Sequence, residues 1–308
     1  MRYAALCLML LLAGCVTQPA PRGATITTAP LLADTPFFPQ QAHQCGPAAL
    51  ATVLVEAGVA TTPDELAQRV YLPERQGSLQ AEMIAATRRL GRVPYPLQPQ
   101  LAAIAREVAA GHPVLVLQNL ALRSWPRWHY AVVIGVEQDR IVLRSGVKAE
   151  QRMRFSTFLR TWRYADSWAF VALRPGQMPA SADARAWLDT YAAFEQTGEP
   201  AIASAGYEAG VQHWPDDARL WFAAGNARYG RGELRAATEA YRRATELDPS
   251  LPEPWNNLAQ TLVDQQCRKS ATAALRQARL HSNDSVRAAI ADTEAALSRL
   301  PQSDAAGC

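Results

Sequence analysis

With 308 residues, 49% of them hydrophobic and 19% charged, the chain is long enough for two ordinary domains and too apolar to be a disordered polymer. A formal charge of +3, with no Lys/Arg run, gives no footing for nucleic acid as a partner. No Cys-x-x-Cys, His-x-x-x-His, phosphate loop or dinucleotide fingerprint occurs, so the sequence implies no metal and no cofactor.

The chain begins as an export signal would. Arg2 is basic, Ala4 to Leu12 is a short apolar run, and Leu12-Ala13-Gly14-Cys15 follows. This order resembles a bacterial lipobox, which implies removal of residues 1–14 and lipidation of Cys15 as the first mature residue. An ordinary secretory signal with an incidental cysteine exports the chain as well. Val16 offers no aspartate to retain a lipoprotein at the inner membrane. The expected location is therefore the outer membrane, facing the periplasm, held by lipid without a spanning helix. Residues 15–34, rich in Pro, Thr, Ala and Gly, read as a tether.

Residues 35–174 read as mixed helix and strand. An apolar helix is expected over Pro47–Ala57, directly after Cys45. Thr62 with Pro63 and Glu65 marks a capped helix start. Further helices are expected over Leu79–Leu90 and Leu101–Ala110, each stopped by a glycine, Gly91 and Gly111. The pattern then changes to strands over Pro113–Gln118, His129–Val136, Arg140–Arg144 and Trp168–Leu173. Helices first and strands afterwards point to an α+β domain with an antiparallel sheet.

Residues 175–182 carry two prolines and a glycine and read as a linker. Beyond it, Trp187, Trp221 and Trp255 recur at 34 residues, as do Ala203, Ala237 and Ala271. A 34-residue period with small residues at helix contacts is the tetratricopeptide signature. About three repeats are expected over 183–300, the first degraded and the last followed by a capping helix over Ser285–Leu300. The role expected of this all-α domain is to bind a protein partner or recruit substrate. Cys267 and Cys308, in an exported chain, either pair or stay free.

Cys45 stands in Gln40-Gln41-Ala42-His43-Gln44-Cys45-Gly46-Pro47, where a polar loop meets an apolar helix. The positive end of that helix would favour the thiolate. A cysteine hydrolase also needs a base, an orienting group and oxyanion donors. His129, opening an apolar strand, suits the base better than His43, only two residues from the nucleophile. His112, His213 and His281 receive no role.

Gln40 to Leu50, together with His129-Tyr130-Ala131-Val132-Val133-Ile134-Gly135, resembles the bacteriocin-processing leader peptidases and their stand-alone relatives. The lipobox and repeats further resemble a group of bacterial lipoprotein cysteine peptidases. The resemblance implies a papain-like fold, with Cys45 as nucleophile, His129 as base and Gln40 as oxyanion donor, Gln41 being the alternative. It also implies an aspartate on the strand after the histidine strand, where this chain has Ser145. A serine accepts a hydrogen bond from the imidazole but brings no charge. The expectation is thus an α+β papain-like peptidase domain followed by tetratricopeptide repeats, acting on a peptide or protein through a Cys-His dyad. The alternatives are a weak or inactive peptidase-fold binding protein and a thiol acyl or amide transferase.

Overall fold

The structure is a computed structural model and describes residues 27–40, 44–305 and 308. Cys15, the 1–14 signal and most of the tether lie outside the described residues, as do Gln41 and His43.

Among the described residues three helices come first: α1 (Cys45–Glu56), α2 (Pro63–Val70) and α3 (Gln80–Arg89). The α2 start is a capping box. Thr62 Oγ1 accepts from the Glu65 amide at 3.3 Å, and the Glu65 carboxylate accepts from the Thr62 amide at 2.9 Å. Gly91, at φ +69°, follows α3 in the left-handed conformation that a side chain would strain.

Next come β1 (Val93–Pro96), α4 (Leu101–Ala109), β2 (Val114–Asn119), β3 (Trp128–Val136), β4 (Arg140–Ser145), β5 (Lys148–Arg154), α5 (Phe155–Arg163) and β6 (Ala169–Leu173). The strands form one antiparallel sheet in the order β1-β6-β2-β3-β4-β5. β1, β5 and α5 were not expected. β1 and β5 are the sheet's two edges and lack the apolar signal of inner strands: β1 is Val-Pro-Tyr-Pro, and β5 is a polar run.

Both faces of the sheet are covered. Leu50 and Leu54 of α1, Leu66 of α2 and Met83 of α3 pack on Leu115, Leu117, Tyr130, Val132 and Ile134. On the other face, Ile104 and Val108 of α4 and Phe158 and Trp162 of α5 pack on Val114, Val116, Ala131 and Val133. The alternation along β2 and β3 sorts these residues to opposite sides, as the pleat requires.

Seven helices complete the chain: α6 (Ala184–Gln196), α7 (Pro200–His213), α8 (Ala218–Gly230), α9 (Leu234–Leu247), α10 (Pro252–Asp264), α11 (Arg268–Leu280) and α12 (Arg287–Ser298). Ala203, Ala237 and Ala271, spaced by 34, are all fully buried. Trp221 and Trp255 donate from Nε1 to the carbonyls of Pro215 and Pro249, the same bond at the same offset. Trp187 departs from this and donates to the Gly206 carbonyl. The first hairpin therefore packs differently, and the reason is its neighbour: Trp187 lies against Tyr95 of the sheet, ring centroids 6.2 Å apart. Cys267 and Cys308 form a disulfide, Cα atoms 5.4 Å apart, which ties the C-terminus to the start of α11.

The residues read as a linker are held from both sides. The Ser181 amide and hydroxyl donate to the buried Glu107 carboxylate at 2.6 and 2.5 Å. The second Glu107 oxygen meets His112 Nδ1 at 2.8 Å, and His112 Nε2 meets the Gln177 amide at 2.9 Å. Burial pushes Glu107 up, but the bonds from His112 and Ser181 together outweigh it and hold the carboxyl below its usual range. The Asp183 amide donates to the Tyr95 hydroxyl at 2.9 Å. Sheet residues and the residues of α6 to α8 share one hydrophobic cluster. A Pro/Gly composition reports backbone freedom and is blind to such partners from elsewhere in the chain.

Candidate active site

The site lies where two strands part. β3 and β4 pair as far as Val132↔Arg144 and no further toward Tyr130. Beyond that point the edge of β3 at Tyr130 is open, and other groups occupy it. The Gln40 side-chain amide donates to the Tyr130 carbonyl at 3.5 Å. The backbone amides of Tyr130, Gly46 and Cys45 itself are near enough to the Cys45 sulfur to favour its ionised form. Cys45 and Gln40 thus converge on one residue of β3, the neighbour of His129.

Buried Arg144 sets the approach to this point. Its guanidinium donates to the carbonyls of Ala33 and Thr35 at 2.8 and 2.7 Å, and to that of Ala149 at 2.7 Å. This bond set fixes the segment that leads to Gln40, whose own amide donates to the Gly146 carbonyl at 3.1 Å. Gly46 has no room for a side chain: a Cβ there would lie 2.7 Å from the Ser78 Cβ. The Ser78 hydroxyl is buried without a hydrogen-bond partner, and the Tyr130 hydroxyl donates to the Ser78 carbonyl at 3.2 Å.

His129 Nε2 and Ser145 Oγ are 2.8 Å apart. Ser145 therefore stands where an orienting group is needed, and Nδ1 is the ring nitrogen left for proton transfer. Among the described residues no hydrogen bond joins Cys45 to the His129 ring, and Cys45 is a free thiol.

The electrostatics of the resting site correct one expectation. The helix start and the three backbone amides do pull the thiol toward ionisation, but burial is the larger effect and pushes the Cys45 pKa up. Burial, assisted by the positive charge of Arg127, lowers His129 to about 4. The resting pair is a thiol and a neutral imidazole, not a thiolate and an imidazolium. Such a pair works by general-base catalysis, the imidazole taking the thiol proton as the sulfur attacks.

Cys45 opens into a cleft of about 630 Å³ lined by Arg75, Ser78, Leu79, Arg127, Trp128 and Asp166, among others. None of these was expected from sequence. Arg127 and Trp128 sit beside His129 in the chain, and that adjacency was the signal available. Arg75, Ser78 and Asp166 come from loops that only the fold brings near. Among the described residues no group of three or more His, Cys, Asp or Glu is placed to hold a metal ion.

Two family models match separate parts of the chain. Residues 32–169 match the Peptidase_C39 like family, and residues 225–266 match the TPR repeat. Curated protein sequences give no match. Among solved structures, one described as a C39-like peptidase from Bacillus anthracis aligns at 17% identity, covering 48% of this chain and 98% of that one, with a TM-score of 0.40. The TPR2B domain of yeast Sti1, solved as a complex with pHsp70, aligns at 19% identity over 38% of this chain and 96% of that one, TM-score 0.36. The Yersinia enterocolitica type III secretion chaperone SycD, in complex with a peptide of the translocator YopD, aligns at 16% identity over 37% and 88%, TM-score 0.35. The chain thus combines an α+β domain that matches the C39-like peptidase family model with a helical region, part of which matches the TPR repeat.

Proposed function

We propose that the protein is an exported, lipid-anchored cysteine peptidase. Cys45 attacks a peptide carbonyl, and His129 takes its proton and later gives it to the leaving amine. Ser145 orients the ring. The Gln40 side chain and the Cys45 amide hold the oxyanion. Lipidation of Cys15 places the chain at the outer membrane facing the periplasm, and the repeats recruit a protein partner or substrate.

The observation that carries this reading is the convergence at Tyr130. Sulfur and carboxamide meet the same residue of β3, one position from a histidine whose ring is already held by a hydroxyl. A buried structural cysteine has no use for that arrangement.

A second reading has its own observation. The thiol is neutral at rest, it has no hydrogen bond to the histidine, and the orienting group is uncharged. These features favour a peptidase fold kept as a binding module. Hydrolysis of a quenched peptide library separates the two. The peptidase reading expects cleavage that disappears in Cys45→Ala, and the binding reading expects none in either protein.

A further inference from the structure

The turn between β2 and β3 is built to hold apolar side chains in water. Asn119, almost wholly buried, organises it. Its Oδ1 accepts from the amides of Ala121 and Arg127 at 3.0 and 2.9 Å, and its Nδ2 donates to the Leu122 carbonyl at 3.2 Å. The Leu120 amide adds a bond to the Arg127 carbonyl at 2.9 Å. On this fixed frame Trp125 is 81% exposed, Leu122 67% and Trp128 53%. Leu79, also exposed, lines the same cleft as Trp128. Large apolar groups exposed together, Trp125 and Leu122 on the turn and Trp128 and Leu79 in the cleft lining, mark a contact surface more often than chance exposure does. Trp and Arg are the residues that most often dominate such contacts.

The charge of the mouth narrows the partner. Arg75 and Arg127 line the cleft, and Arg123 lies on the turn above the Tyr164 ring. Among the described residues none of the three is ion-paired. Among the described residues Asp166 is the one carboxylate in the cleft lining. Arg127 also contributes to the depression of His129, so a carboxylate docked on it would relieve that effect.

A lipid surface is the competing occupant, and the shape of the site disfavours it: Trp128 and Leu79 line the same concave cleft as Cys45, which an extended peptide can enter and a bilayer surface cannot.

We infer that the β2–β3 turn and the cleft mouth form the recognition surface for an extended protein segment, seating a bulky apolar side chain on Trp128 and Leu79 and an acidic side chain against Arg127 and Arg75. This rests on the reading of the cleft as the substrate cleft.

The test uses the full chain as Cys45→Ala, immobilised and exposed to a randomised decapeptide library. The inference expects retained peptides enriched roughly tenfold in an acidic residue near a bulky apolar one. Arg127→Glu should reverse the acidic preference, and Trp128→Ala should erase the apolar one, with thermal melting confirming that each variant is folded. A retained pool without these preferences, or an empty one, overturns the inference. So does binding to phosphatidylglycerol vesicles that is lost in Trp125→Ala while peptide selection is absent, since the surface is then a lipid contact. Cleavage of the same library by the unsubstituted protein is scored separately. Selection without cleavage leaves the inference standing and fails the peptidase reading, and cleavage without selection does the reverse.

Discussion

The His129 ring is held by the Ser145 hydroxyl, with Nε2 and Oγ 2.8 Å apart and no carboxylate in that place. A hydroxyl fixes direction without stabilising the imidazolium, and the ring sits at about 4, lowered first by burial. The substitution Ser145→Asp should raise it by about 1–3 units, because an opposite charge at hydrogen-bond range favours the protonated ring. The expected outcome is faster alkylation of Cys45 by iodoacetamide near neutral pH, with the acid limb of the profile moved up. Ser145→Ala should slow the reaction by roughly tenfold without moving that limb. Alkylation rates across pH, followed by mass spectrometry, decide both.

The same shift has a consequence for stability. A histidine lowered from its ordinary 6.5 to about 4 is bound neutral in the fold, so between those values the unfolded chain takes up more protons. Stability is complete above pH 6.5, falls as pH drops toward 4, and loses at most about 3 kcal/mol over that interval. His129→Asn should flatten this part of the profile. Glu107, held below its usual range, adds its own loss only at lower pH, where its carboxyl protonates. Denaturant melts at pH 7, 5.5 and 4.5 on both proteins check the sign.

Gln40 is proposed to act on the oxyanion, not on the thiol. Gln40→Ala should therefore lower kcat by roughly a hundredfold, the scale of losing one oxyanion donor, while small-reagent alkylation of Cys45 changes little. Equal losses in both assays would assign Gln40 to the packing of the loop instead.

The contact between the two domains predicts that they do not separate cleanly. Glu107→Ala removes the acceptor of Ser181 and the partner of His112 from a buried site, at a cost of about 3 kcal/mol. Deleting 182–308 strips Trp187 from Tyr95 and opens the shared core. The truncated chain should melt below the full one and bind a hydrophobic dye. Independent folding of residues 27–181 at full stability would contradict this.

The sequence carried the parts of this account that rest on local pattern. Thr62 and Pro63 announced a capped helix start, and the 34-residue spacing of Ala203, Ala237 and Ala271 announced a buried helix contact. Cys45 and His129 drew attention because each stands at a change of pattern, whereas Gln40 and Ser145 entered through the resemblance to the leader peptidases. Three things were not legible. The polar edge strand β5 has no apolar alternation to betray it. The linker's partners, Glu107 and His112, are distant in sequence. The protonation state of the thiol depends on burial, a property of the folded chain, and here burial outweighs the helix start that argued for a thiolate.

The central claim is that Cys45, assisted by His129, forms a covalent acyl intermediate. Intact-protein mass spectrometry after incubation with a peptidyl epoxide tests it most directly. The account predicts one adduct per chain, on Cys45, formed roughly a hundredfold more slowly in His129→Ala and absent in Cys45→Ala. Labelling at the rate of a free thiol, unchanged in His129→Ala, would contradict it.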